Sequence, residues 1–172
     1  MNRRSTFALS TMALAFLGIG LPTSNAVAQQ QSLKEQLVGT WSLVSVVNTR
    51  PDGTKYDPTS GKAAGLVMYD RTGHFSSQTI RFDIPKLASN NRQEGTTEEF
   101  KAVAQGVLSY FGTYSLDAAG KVLTQHVEIS SFPNFNGTNR VWAMALTGDE
   151  LTIASQAAAS GGANEIKWKR IK

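Results

Sequence analysis

Gly39-Thr40-Trp41-Ser42-Leu43-Val44-Ser45-Val46-Val47-Asn48-Thr49 is the stretch whose reading decides the fold. From Trp41 to Thr49 it is rich in β-branched and apolar residues, and Pro51-Asp52-Gly53 behind it is a turn signal. Short runs of the same kind follow almost to the C-terminus. Lys55-Tyr56 is a short one, and Pro58 to Gly61 turns the chain again. Gly65 to Tyr69 returns as His74 to Phe82 across Asp70 to Gly73. Tyr110 to Leu116 pairs with Val122 to Ser130 through Asp117-Ala118-Ala119-Gly120. Thr138 to Leu146 pairs with Glu150 to Gln156 through Gly148-Asp149, and Asn164 to Ile171 is the last run. About nine strands at this spacing predict an all-β, antiparallel sandwich or barrel.

Two short helices interrupt the pattern. Ser32 and Glu35 form a capping box ahead of Leu33 and Leu37, which predicts a turn or two of helix from Ser32 to Val38 closing one end. Thr96-Thr97-Glu98-Glu99 is a second capping box. Behind it Phe100, Val103, Val107 and Leu108 fall on one helical face, so the helix is expected to run from Thr96 to Leu108. An apolar face of this kind packs on the wall or plugs one end; the sharper alternative is a lid over a mouth. Asp83 to Gly95, with Pro85 and Asn90-Asn91, reads as a long loop, and Ala157 to Ala163 as a loop of small residues.

The first 28 residues read as an export segment rather than as part of the fold. Arg3 and Arg4 form a positive start, Phe7 to Leu21 an apolar run, and Ala26-Val27-Ala28 a cleavage site of A-x-A form. The apolar run is too short for a spanning helix, which needs about 20 apolar residues. Arg3-Arg4 invites a twin-arginine route, but Ser5-Thr6-Phe7 does not continue that pattern, so general secretion is preferred. The remaining residues, 29–172, are one domain of ordinary size, expected in the periplasm or outside the cell.

Of the formal net charge of +4, Arg3 and Arg4 carry two, so the domain is close to balanced. A nucleic-acid partner is therefore not expected. The chain has no cysteine, which excludes disulfides, thiolate catalysis and cysteine-held metals. No cofactor is implied, and nothing resembles a Gly-rich phosphate loop.

His126 and Glu128 are the chemical candidates. Two apart on a strand, they share a face about 6.6 Å apart along the chain. A carboxylate beside a histidine orients it and raises its pKa, and Arg140 on the next strand would add an anion-binding group. Against this, Leu123, Val127 and Ile129 alternate with Thr124, His126, Glu128 and Ser130, the pattern of an apolar inner face and a wet outer one. His74 suggests a second metal-ligating histidine, but none stands at ligand spacing, so it reads as a surface residue and no metal is expected. Phe132 and Asn134, in the link from Phe132 to Gly137, either rim a mouth or plug a tight connection. Trp142 lies on a core or cavity-lining face with Met144 and Leu146, and Gln78 matters if it points inward.

The pieces Gly39-Thr40-Trp41, Gly65 to Tyr69, Asp70 to His74 with Ser76-Ser77-Gln78, Tyr110 to Tyr114, His126-Val127-Glu128, Phe132-Pro133-Asn134, Gly137, Arg140 and Trp168-Lys169-Arg170, in this order, resemble the bacterial lipocalin-like domain family. The resemblance implies an up-and-down, calycin-like barrel of about eight to ten strands, wide enough for one small ligand. It implies that Gly39, Trp41 and Arg170 close one end, the arginine stacked on the first-strand tryptophan. It adds weight to the inward reading of His126, Glu128 and Arg140, because the family's pattern contains them. Three functions stay open: a container for a small, partly apolar molecule, a cofactor-independent isomerase, cyclase or hydrolase using His126, Glu128 and Arg140, and a structural or inhibitory protein with a filled barrel. Oligomeric state is not readable.

Overall fold

The computed structural model describes residues 33–155 and 161–172. The export segment, Ser32 and most of the Ala157–Ala163 loop lie outside those residues. Among the described residues, helical residues 33–37 (α1) precede β1 (Gly39–Thr49), the stub β2 (Lys55–Tyr56), β3 (Ala63–Tyr69) and β4 (His74–Arg81). Helix α2 (Thr97–Gly106) then leads into β5 (Val107–Leu116), β6 (Val122–Ser130), a 3₁₀ turn at Pro133–Phe135, β7 (Asn139–Thr147), β8 (Glu150–Ser155) and β9 (Ala163–Arg170).

From β3 onward every strand pairs antiparallel with its chain neighbour. β1 closes the ring, with β3 on one edge and β9 on the other. Eight strands thus form an up-and-down barrel, and β2 extends it at Asn48 and Thr49. Closure leaves no exposed sheet edge around the ring. Alternation decides which side chains enter: Leu123, Gln125 and Val127 of β6 and Arg140, Trp142 and Met144 of β7 are buried inside. All three tryptophans of the chain, Trp41, Trp142 and Trp168, are at most 2% exposed.

One end is sealed. Leu37 of α1 is fully buried, and the Trp41 indole N–H donates to its carbonyl at 3.0 Å. The Arg170 guanidinium lies 4.0 Å from the Trp41 ring centroid and donates Nη1 to Val38 O at 2.9 Å and Nη2 to Gln36 O. Gly39 makes room for it. Its φ is +140°, and a Cβ there would stand 2.7 Å from Arg170 Nη1.

The second helix ends earlier than its periodicity predicts. Thr96 and Glu99 form the capping box, but Val107 and Leu108 belong to β5, paired with Ile80 and Thr79. A β-branched residue beside an available strand edge joins the ladder. The helical face shrinks to Phe100 and Val103, both partly exposed, so α2 neither plugs the barrel nor packs tightly on it. Glu99 instead holds the long loop, accepting from Ala88 N and Thr96 N at 2.8 Å each.

Replacing Trp41 by alanine should cost about 3–5 kcal/mol, because it leaves a cavity under α1 and removes the platform for Arg170. Chemical denaturation of the two proteins checks this; a loss below about 1 kcal/mol would mean the end is not held by this residue.

Candidate functional site

The interior has three levels. Around the sealed end, Trp41, Leu116, Leu123, Leu151 and Trp168 pack as an apolar floor. Above it Gln125 bridges three strands: its Oε1 accepts from Trp142 Nε1 and its Nε2 donates to the Tyr69 hydroxyl, both at 2.8 Å. Burial pushes the Tyr69 phenol well above its ordinary pKa. Tyr114, whose hydroxyl donates to Asp70 O at 2.7 Å, is pushed up to about 12, chiefly by burial and then by the Asp70 charge.

The open end is polar within. Asn48, Asn164 and Ser155 stand side by side on β1, β9 and β8, in register and all buried. Adjacent strands are about 4.8 Å apart, so the three make a short polar row across the wall. Asn164 Oδ1 and, four residues along the same face of β9, Trp168 Nε1 are buried with no hydrogen-bond partner among the described residues. Such atoms are costly unless something satisfies them.

Arg140 is 7% exposed at the same end. Its guanidinium carbon lies 4.0 Å from the Phe135 ring centroid, 4.7 Å from Trp142 and 5.6 Å from Tyr110. Phe132 and Phe135 meet edge to face, with centroids 4.9 Å apart. Burial lowers the Arg140 pKa, with Tyr110 opposing, yet an arginine stays charged at any ordinary pH. An open pocket of about 620 Å³ lies beside it at the rim, lined by Asn134, Phe135 and Thr138 of the connection, Asn139, Arg140 and Val141 of β7, and Ser155 of β8. A second, open groove of about 640 Å³ lies at the sealed end between Val38 and the Asp70–His74 hairpin. Its Asp70 is occupied within the hairpin, accepting from His74 N and the Thr72 hydroxyl at 2.8 Å each.

The expected inward trio of His126, Glu128 and Arg140 is corrected: only Arg140 is inside. His126 is exposed on the outer wall, its Nδ1 2.9 Å from Asn139 Oδ1, and Glu128 is exposed as well. His126 follows strand parity, which points it away from Gln125 and Val127. Glu128 is the extra residue of a β-bulge opposite Phe111 and Gly112, so Glu128 and Ile129 both face out. Gly112 permits the bulge, since a Cβ there would lie 2.0 Å from His126 O. Gln78 also belongs to the outer wall, half-buried and donating to Ser76 Oγ at 3.0 Å. Trp142 is inside, and Phe132 and Asn134 stand at the rim. No group of three metal-ligating side chains occurs among the described residues, and none of their helices is long and apolar enough to cross a membrane.

Gln125, Tyr69, Asn48, Ser155 and Asn164 are absent from the sequence-based site. A signal for some of them exists, because Gln125 interrupts the apolar parity of Leu123 and Val127, and Asn164 shares parity with Ile166 and Trp168.

The sequence model described as "Lipocalin-like domain" matches residues 38–171. No curated protein is similar enough in sequence to count as a match. Among solved structures, a redesigned β-barrel is 10% identical, covers 81% of this chain and 96% of its own, and superposes with a TM-score of 0.43. A mutant of the fluorescent protein UnaG is 11% identical, with coverages of 79% and 96% and a TM-score of 0.36.

Replacing Gln125 by methionine keeps the volume but strands the Tyr69 hydroxyl and the Trp142 N–H. The expected loss is about 1–3 kcal/mol for each stranded group, read by denaturation. Alkaline titration followed by phenolate absorbance should find Tyr114 ionising near 12 and Tyr69 well above the ordinary tyrosine range. Because the folded pKa is raised, the stability Tyr114 contributes is complete below the unfolded value of about 10 and is lost as pH climbs through the folded value. A tyrosine complement that titrates together near 10 would contradict the buried placement.

Proposed function

The chain belongs to the lipocalin-like domain family, and on that premise we propose that it is a container holding one small, partly apolar molecule in the open half of its barrel. The observation that carries the reading is the buried polar row at Asn48, Asn164 and Ser155, with Asn164 Oδ1 unsatisfied, next to the open pocket at Arg140. A barrel filled only by its own side chains has no use for an unsatisfied acceptor at its open end. A small molecule that brings a donor removes that cost. With the export segment read over residues 1–28, the proposed binding takes place in the periplasm or outside the cell.

A filled barrel is the second reading, and the packing of Trp41, Trp142 and Trp168 in the lower part favours it. The enzyme reading rests on His126 as base beside Glu128, and both side chains lie on the outer wall.

Native mass spectrometry of the protein purified from its own source, with titration of the neutral dye N-phenyl-1-naphthylamine, separates the first two. A container retains a co-purifying small molecule or binds the dye at one saturable site, with energy transfer from Trp142. A bare mass together with no saturable dye binding supports the filled barrel.

A further inference from the structure

We propose that the molecule held is neutral and rod-like, with a hydroxyl or N–H at its outer end for Asn164 and an uncharged oxygen at its inner end for Trp168. This rests on the container reading and gives its ligand a chemical class. The inner face of β9 carries the argument. Asn164, Ile166 and Trp168 alternate inward along it, all at most 9% exposed. Asn164 Oδ1, an acceptor, and Trp168 Nε1, a donor, are both buried without a hydrogen-bond partner among the described residues. Two stranded atoms of opposite sense on one inward face ask for a partner that brings both a donor and an acceptor.

The register of the neighbouring strands sets the body between these ends. Ile166 lies between Val46 and Ile153, and Trp168 between Leu43 and Leu151. The wall is thus polar at the mouth, apolar in the middle, and apolar with one N–H at the floor. Four residues of strand separate the two backbones by about 13 Å, a span that a two-ring body with a polar group at each end fills once the side chains reach inward. Charge is disfavoured at both ends. The described buried side chains include no Asp, Glu or Lys, so an ammonium would lose its water with no carboxylate to meet. A carboxylate only accepts, whereas the Asn164 oxygen needs a donor, and one indole N–H at the floor cannot replace the water shell of an anion.

The test uses three neutral naphthalenes of similar size, each competing with N-phenyl-1-naphthylamine on the full exported domain. The probe 6-methoxy-2-naphthol has both ends. In 2-methoxy-6-methylnaphthalene a methyl replaces the hydroxyl, and in 6-ethyl-2-naphthol a methylene replaces the ether oxygen. Each analogue's affinity ratio to the first probe reads one end, and the change of that ratio on mutation cancels the difference in hydrophobicity. Asn164→Leu should shift the hydroxyl-to-methyl ratio about fivefold or more against the hydroxyl and leave the ether-to-methylene ratio in place. Trp168→Phe should do the reverse. Circular dichroism checks folding, with Asn164→Ala as the second variant at that position. Should Trp168→Phe not fold, the indole proton of Trp168 in the unaltered protein serves instead. Its NMR signal should move downfield with 6-methoxy-2-naphthol and not with the ethyl analogue. If either end's reading is unmoved, or if the dye saturates and none of the three displaces it, the two-ended assignment is overturned and the container stands. Should the dye itself find no saturable site, both readings fall.

Discussion

Everything in this molecule depends on the ladder between β1 and β9, from Trp41 opposite Arg170 to Thr49 opposite Ala163. Without it the chain is an open meander with two unpaired edges, a form prone to pair with other chains. With it the inner faces of eight strands meet, and the aromatic side chains exchange water for each other. The ladder needs a bulge at Val44, where the register shifts between Leu43 and Ser45. There Val44 turns out to solvent, and Leu43 and Val46 both stay against the core. Such a bulge adds the local bend that a small closed barrel requires.

The sealed end follows from the same ladder. Arg170 can lie over Trp41 only because the two are register partners, and its guanidinium then reaches carbonyls at the end of α1 that would otherwise lack partners. A helix this short has little stability of its own. It persists because Leu37 is buried and because Trp41 and Arg170 hold its carbonyls. At the other end the polar interior residues gather, with Phe135 of the connection to β7 lying over Arg140.

Strand existence was readable because alternation and turn chemistry are local. The run Val122 to Ser130 and the hairpin Asp117 to Gly120 are signalled within a dozen residues, and the strands form where those signals lie. The start of β5 was not readable, since Val107 and Leu108 fit a helical period equally well and only the neighbouring β4 decides between the two. The site was less accessible for a related reason. Outward parity for His126 was visible, but the bulge that also turns Glu128 and Ile129 outward depends on Gly112 in the partner strand. The row Asn48, Asn164 and Ser155 joins residues far apart in sequence, and no local pattern brings β1, β8 and β9 into register.

Hydrogen bonds hold the rings around Arg140 in place. Two residues along β7 and on the same face, Trp142 is fixed by Gln125, which is in turn tied to Tyr69 on β3. The other side of the guanidinium is set by the connection to β7. Ser130 N donates to Asn136 Oδ1 at 2.8 Å, Phe132 N to Ser130 Oγ at 3.0 Å, and Gly137 N to Val127 O at 2.8 Å, so Phe135 has little freedom to leave the arginine. A buried charge held between rings whose own positions are bonded to the barrel wall is pre-organised. Pre-organisation of that kind lowers the entropic cost of the binding proposed for this end. A floor of packed tryptophans and an ordered rim are thus parts of one arrangement: hydrogen bonds through Gln125 carry the order of the floor up to the rings around Arg140.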